Sequence, residues 1–115
     1  MLRRVLLLTL LAALLAPAAV ASPPAARTTT VGVTMTEFKF KLTKRVVPRG
    51  LVVFKLVNKG TVAHDLKIKN KKSAKIQPDK KKTLRVTLTK RGRYRYVCTL
   101  PGHADSGMKG VLRVT

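Results

Sequence analysis

The chain has 115 residues, enough for one domain and no more. Its 25 Lys and Arg against 4 Asp and Glu give a formal net charge of +21 at pH 7, a surface that attracts polyanions and repels basic partners. A single Cys excludes a disulfide within the chain, so the fold must be held by its core or by a bound group.

In chain order, Met1 to Arg4 is a short basic segment, residues 5–20 form an almost uncharged apolar run, and Ala19, Val20 and Ala21 give a small-x-small pattern. This reads as an export signal over residues 1–21 with cleavage after Ala21. The alternative is a retained membrane anchor, which the shortness of the run and its break at Pro17 disfavour. Arg3-Arg4 hints at twin-arginine export, but the surrounding residues do not support it. "SPPAAR" at 22–27 reads as a flexible leader, leaving a folded domain at 28–115. Without Arg3 and Arg4 the mature charge is 23 − 4 = +19. A domain this small gains from a metal as a supplement to its core. In an oxidising compartment its lone thiol suggests an intermolecular bridge, a reactive group or a metal ligand.

From residue 31 onward apolar residues alternate: Val31, Val33 and Met35; Phe38, Phe40 and Leu42; Val52, Phe54 and Leu56; Leu66 and Ile68; Leu84, Val86 and Leu88; Tyr94 and Tyr96; Leu112 and Val114. A period of two marks half-buried strands. "PRG" at 48–50, "NKG" at 58–60, "KRG" at 90–92 and "PG" at 101–102 mark turns between them. No sustained helical period occurs after residue 27. The pattern predicts an all-β protein, a Greek-key β-sandwich of about seven to eight strands.

The same alternation assigns faces to polar residues. The phase that buries Leu66 and Ile68 carries Val62 and His64 inward and sends Asp65 and Lys67 outward. The phase of Tyr94 and Tyr96 carries Cys98 inward and leaves Arg93 and Arg95 outside. Two metal-capable side chains therefore lie near strand ends on the core side. In "TLPGHADSGM", Pro101-Gly102 and Ser106-Gly107 favour tight turns that can return His103 and Met108 toward Cys98. Singly, each residue has a plain structural reading: a rim histidine, a small buried thiol, a packing methionine. Together, two imidazoles, a thiolate and a more distant thioether make a soft ligand set suited to copper cycling between Cu(I) and Cu(II). Zinc would more often recruit several Cys or a nearby carboxylate.

With "EFKF" at 37–40, "AHDLKI" at 63–68 and "GRYRYVCTLPGHADSGMKGVLRV" at 92–114, the sequence resembles the small cupredoxins, the blue-copper proteins of the plastocyanin, azurin and rusticyanin group. The C-x4-H-x4-M spacing is most similar to the rusticyanin-like branch. The resemblance implies copper ligands at His64, Cys98, His103 and Met108, and a one-electron carrier whose electrons pass at the edge of His103. Leu100, Pro101 and Ala104 would form an apolar docking patch, with Lys109 steering the partner. An Asn often follows the first His in the family and ties it to the residue after the Cys. Here the pair is Asp65 and Thr99, whose hydroxyl could donate to the carboxylate.

Once His64 and His103 are committed, no histidine is left for general-base work, and a single Cys cannot build a binuclear copper site; an enzyme is not expected. Two other functions stay open. One is copper delivery, distinguished by ready loss of Cu(I). The other is polyanion binding without redox chemistry, suggested by the lysine-dense stretch from Lys67 to Lys82, in which Ile76 reads as an anchor and Pro78-Asp79 as a turn. All five aromatics fall on the inward phase, which leaves none to stack on bases and argues against specific nucleic-acid binding. The expected partners of a monomeric, exported, periplasmic or envelope-associated protein are an acidic redox protein and, as the charge allows, an anionic envelope polymer or lipid.

Overall fold

The computed structural model describes residues 11–17 and 27–115. The cleavage point after Ala21 and nearly all of the leader lie outside the described residues, which contain strands and turns but no helix. Nine strands follow in order: β1 Thr28–Thr36, β2 Lys39–Leu42, β3 Val46–Val47, β4 Gly50–Asn58, β5 Lys67–Ile68, β6 Lys71–Lys72, β7 Lys81–Leu88, β8 Gly92–Val97 and β9 Lys109–Val114. They form a four-stranded sheet ordered β2-β1-β4-β7 and a five-stranded sheet ordered β3-β9-β8-β5-β6. Both sheets are mixed, since β1 runs parallel to β4 and β3 parallel to β9.

The long strands follow their alternation. Val31, Val33 and Met35 of β1, Val52, Phe54 and Leu56 of β4, and Leu84, Val86 and Leu88 of β7 face Tyr96, Leu112 and Val114 of the other sheet across one buried core. The count exceeds the expected seven to eight because β3, β5 and β6 have two residues each, too few for a period to register.

Two expectations about facing fail. Before β5 the chain is not a strand: His64 makes an isolated bridge to Ile76, with backbone bonds of 3.1 and 2.8 Å. Alternation therefore does not govern this stretch, and Asp65, expected outside, is buried, whereas Val62, expected inside, is 43% exposed. Phe38 lies in the turn between β1 and β2 and is exposed rather than inward. Ile76 is fully buried, as its anchoring role requires, and Asp79 takes a positive φ of 62° in the turn after Pro78.

The register of β8 on β9 positions the site. Val97 pairs with Lys109, and the Cys98 N–H donates to the Met108 carbonyl at 3.0 Å, so residues 98–108 leave and re-enter the sheet at one point.

Candidate metal centre

Cys98 follows directly on β8 and is buried. After it the chain folds through turns: the His103 N–H donates to Leu100 O (3.1 Å), Ser106 N–H to Gly102 O (3.1 Å), Gly107 N–H to Ala104 O (3.0 Å) and Met108 N–H to His103 O (3.0 Å). Gly102 and Gly107 adopt φ of +80° and +111°, where a side chain is strained. These turns return the His103 ring over the thiol, with Nδ1 3.4 Å from Cys98 Sγ. From the other side, the bridge to Ile76 holds fully buried His64 with its Nδ1 3.2 Å from His103 Nδ1. Ligand atoms of His64, Cys98 and His103 all lie within 4.8 Å of one another. Met108 is fully buried, and its backbone is bonded to both Cys98 and His103.

Asp65 ties the two ligand-bearing segments together. Its Oδ1 accepts the Thr99 N–H at 2.7 Å and its Oδ2 accepts the Thr99 hydroxyl. Of the remaining surface residues named from the sequence, Leu100 is half-buried against the core, Ala104 is half-buried, and Pro101 and Lys109 are exposed. His103 is half-buried, the one member of the cluster that reaches solvent.

Sequence reading missed Glu37 and Asn58. Glu37 stands in the turn between β1 and β2, and its Oε1 accepts from Thr61 N–H (2.7 Å), Val62 N–H (3.0 Å) and His64 Nε2 (3.2 Å). The Thr61 N–H, helped by that of Val62, holds this carboxyl down at about 2 against the opposing effect of burial. Asn58, fully buried at the end of β4, donates through Nδ2 to Val62 O and Ile76 O, both at 2.8 Å, and accepts the Gly60 N–H at 2.8 Å. Together the two residues fix the segment 59–63 that leads into His64. The available signal was one carboxylate and one amide, each at a turn in a chain otherwise rich in cations. Phe38 sets its ring edge against His103, with centroids 5.0 Å apart and planes at 74°.

Protonation follows from these contacts. Burial pushes the His64 pKa down, with the Glu37 contact pulling the other way. Its Nε2–H donates to Glu37, which leaves Nδ1 bare and facing His103 and Cys98. Burial pushes the Cys98 thiol up. Two imidazoles and a sulfur, with no carboxylate in the group, are consistent with one copper ion.

The model for the cupredoxin-like domain matches residues 4–114. No curated protein matches the sequence significantly. Among solved structures, dithionite-reduced auracyanin from the photosynthetic bacterium Roseiflexus castenholzii shares 20% identity at a TM-score of 0.69, over 76% of this chain and 97% of that one. Auracyanin A, a "blue" copper protein of Chloroflexus aurantiacus, gives 18%, a TM-score of 0.63, and 77% and 100% coverage. Rusticyanin from Thiobacillus ferrooxidans gives 21%, 0.65, and 76% and 77%. Identities this low speak for the shared sandwich alone. The family match spans nearly the whole chain, and the nine strands carry the same architecture: the chain belongs to the cupredoxin-like family.

Proposed function

We propose that this protein is an exported single-electron carrier that holds one copper ion through His64, Cys98 and His103, with Met108 as a weak fourth ligand. The observation that carries this reading is the convergence of two ring nitrogens and a sulfur within 4.8 Å at one rim of the sandwich. Copper in this soft donor set supplies a one-electron couple between Cu(I) and Cu(II). The protein's own residues do the rest. Glu37 holds the proton on His64 Nε2, so that Nδ1 meets the metal without having to lose one. Cys98 is a protonated thiol before loading, so metal uptake releases its proton to solvent. Asp65 fastens the segment after Cys98 to the segment after His64, limiting rearrangement between redox states.

His103 presents this centre to a partner. Around it Leu100, Pro101 and Ala104 offer an apolar surface, and Lys109 offers a cation to an acidic redox protein. Export is supported by the apolar run at 5–20, and the electron-carrier role by the blue copper protein among the structural neighbours.

Titration of the purified protein with Cu(II), followed by visible absorption and electron paramagnetic resonance, tests the reading. The expected result is a one-to-one intense blue or green band with the narrow hyperfine splitting of a thiolate site, abolished in Cys98→Ser. Intense colour surviving in Cys98→Ser would sink the ligand assignment. Ready transfer of Cu(I) to an acceptor would move the function from electron transfer to copper delivery.

A further inference from the structure

Six of the eight arginines from Arg27 to Arg113 (Arg45, Arg49, Arg91, Arg93, Arg95 and Arg113) lie on or beside β3, β8 and β9, while lysines dominate elsewhere. Arg93 and Arg113 are register partners on β8 and β9, both exposed, so they share the outer face of the five-stranded sheet directly opposite one another. Like charges at opposed positions destabilise a sheet. Among the described residues no carboxylate side chain lies within ion-pair distance of either arginine. The four carboxylate side chains are Glu37 and Asp65, engaged at the metal centre, Asp79 in the turn after Pro78, and Asp105 in the loop after β8. Among the described residues the one contact within 4 Å between a basic and an acidic side chain is that of His64 with Glu37.

The same two arginines line two adjoining concavities. One, of about 390 Å³, is bounded by Arg91, Gly92, Arg93, Arg113, Val114 and Thr115; the other lies between Arg93, Val111 and Arg113. Arg93 and Arg113 wall both, so the two concavities lie beside each other along β8 and β9, and together they are called the trough below; Arg95 follows on β8, opposite Val111. The trough begins at the Gly92–Val114 pair, and the metal centre lies past the Val97–Lys109 pair, five register steps or roughly 17 Å away at strand spacing.

We propose that this trough binds a linear phosphate polymer through its backbone charges, anchoring the protein while the metal-bearing pole stays free for a redox partner. A guanidinium fork matches tetrahedral phosphate oxygens better than an ammonium does, which accounts for arginine here and lysine elsewhere. A trough along the strand direction suits a chain rather than a plane of headgroups. Phe38 is the one exposed aromatic among the described residues and it lies against His103, so the trough has no base-stacking surface and reads charge alone. Polymer binding is independent of the copper reading, and only the free redox pole rests on it.

The test compares Arg93→Gln/Arg113→Gln with Lys55→Gln/Arg85→Gln, which removes the same charge from the outer face of the other sheet. Affinity for linear polyphosphate is measured across a salt series. The trough variant should bind roughly tenfold more weakly, with the slope of log affinity against log salt reduced by about 1.4, from about 0.7 per lost contact. The control should change less than twofold. Equal losses in both variants would overturn the proposal in favour of undirected attraction, and tighter retention on phosphatidylglycerol vesicles or polyglutamate than on polyphosphate would overturn it in favour of a membrane or an acidic protein. Removing an unrelieved repulsion should leave the melting temperature of the trough variant unchanged or raised; a fall would show that the arginine pair is structural and overturn the reading.

Discussion

Glu37 accepts three hydrogen bonds with one oxygen, two from the 59–63 segment and one from a proposed ligand histidine, so it couples the shape of a turn to the tautomer of His64. Partners of this kind commonly contribute 10–100-fold in metal affinity. Glu37→Ala should therefore weaken copper binding by about that factor in a competitive chelator titration, while Glu37→Gln, which keeps an acceptor oxygen, should lose much less. In the metal-free protein, nitrogen-15 NMR should find the proton of His64 on Nε2, and Glu37→Ala should shift it toward Nδ1; an unchanged tautomer would show that the contact does not set it. Met108 is fully buried, and Leu is close to it in volume, so Met108→Leu should cost less than about 1.5 kcal/mol of stability in urea. Its expected effect is on the potential, which should rise while the intense band survives. Loss of all copper binding would contradict a weak fourth ligand at Met108. At this scale His64, Cys98 and His103, which the structure brings together, could be singled out in the sequence because their chemistry is rare in this composition, and Met108 stands as the proposed fourth ligand. Glu37 and Asn58 could not, since a hydrogen bond between segments more than a dozen residues apart leaves no periodic trace.

Between strands, the pairing of Tyr96 with Gly110 shows how β8 and β9 fit together behind the centre. The Tyr96 ring lies over the glycine where a Cβ would stand, and it meets Phe40 in a T-shaped arrangement with centroids 5.5 Å apart. Gly110→Ala should then destabilise the fold by about 1–3 kcal/mol in chemical denaturation, because the added methyl overlaps a buried ring that must shift to admit it. A neutral result would show that the ring can swing aside. Because β9 leads out of the metal loop, the same variant should also loosen Met108, and a broadened copper spectrum would report it. Long strands such as β1, β4 and β7 were legible from alternation, whereas the two-residue strands were not. Over residues 62–66 the alternation misled: the backbone there is held by Ile76 and Asn58 rather than by a ladder, so nothing enforces a period of two.

Across the whole molecule, charge dominates. A formal charge of +21 over the full chain, with Glu37 and Asp65 spent on internal bonds, leaves the surface repelling itself. Raising ionic strength from 0.01 M to 0.15 M shortens the screening length from about 30 Å to about 8 Å, so the melting temperature should rise across that range. A flat or falling profile in calorimetry would mean that the cations are already paired by bound anions. By itself the sequence determined the all-β class, the ligand-type residues and the basic surface, because alternation, residue chemistry and net charge are properties of local order and of sums. Only the tertiary structure decided that Asp65 turns inward, that Glu37 reaches His64 from a turn 27 positions away, and that Arg91 and Arg93 line the same concave surface as Arg113. Those outcomes depend on which strands become neighbours, and neighbour choice is settled by how two sheets close over a shared core rather than by any short stretch of chain.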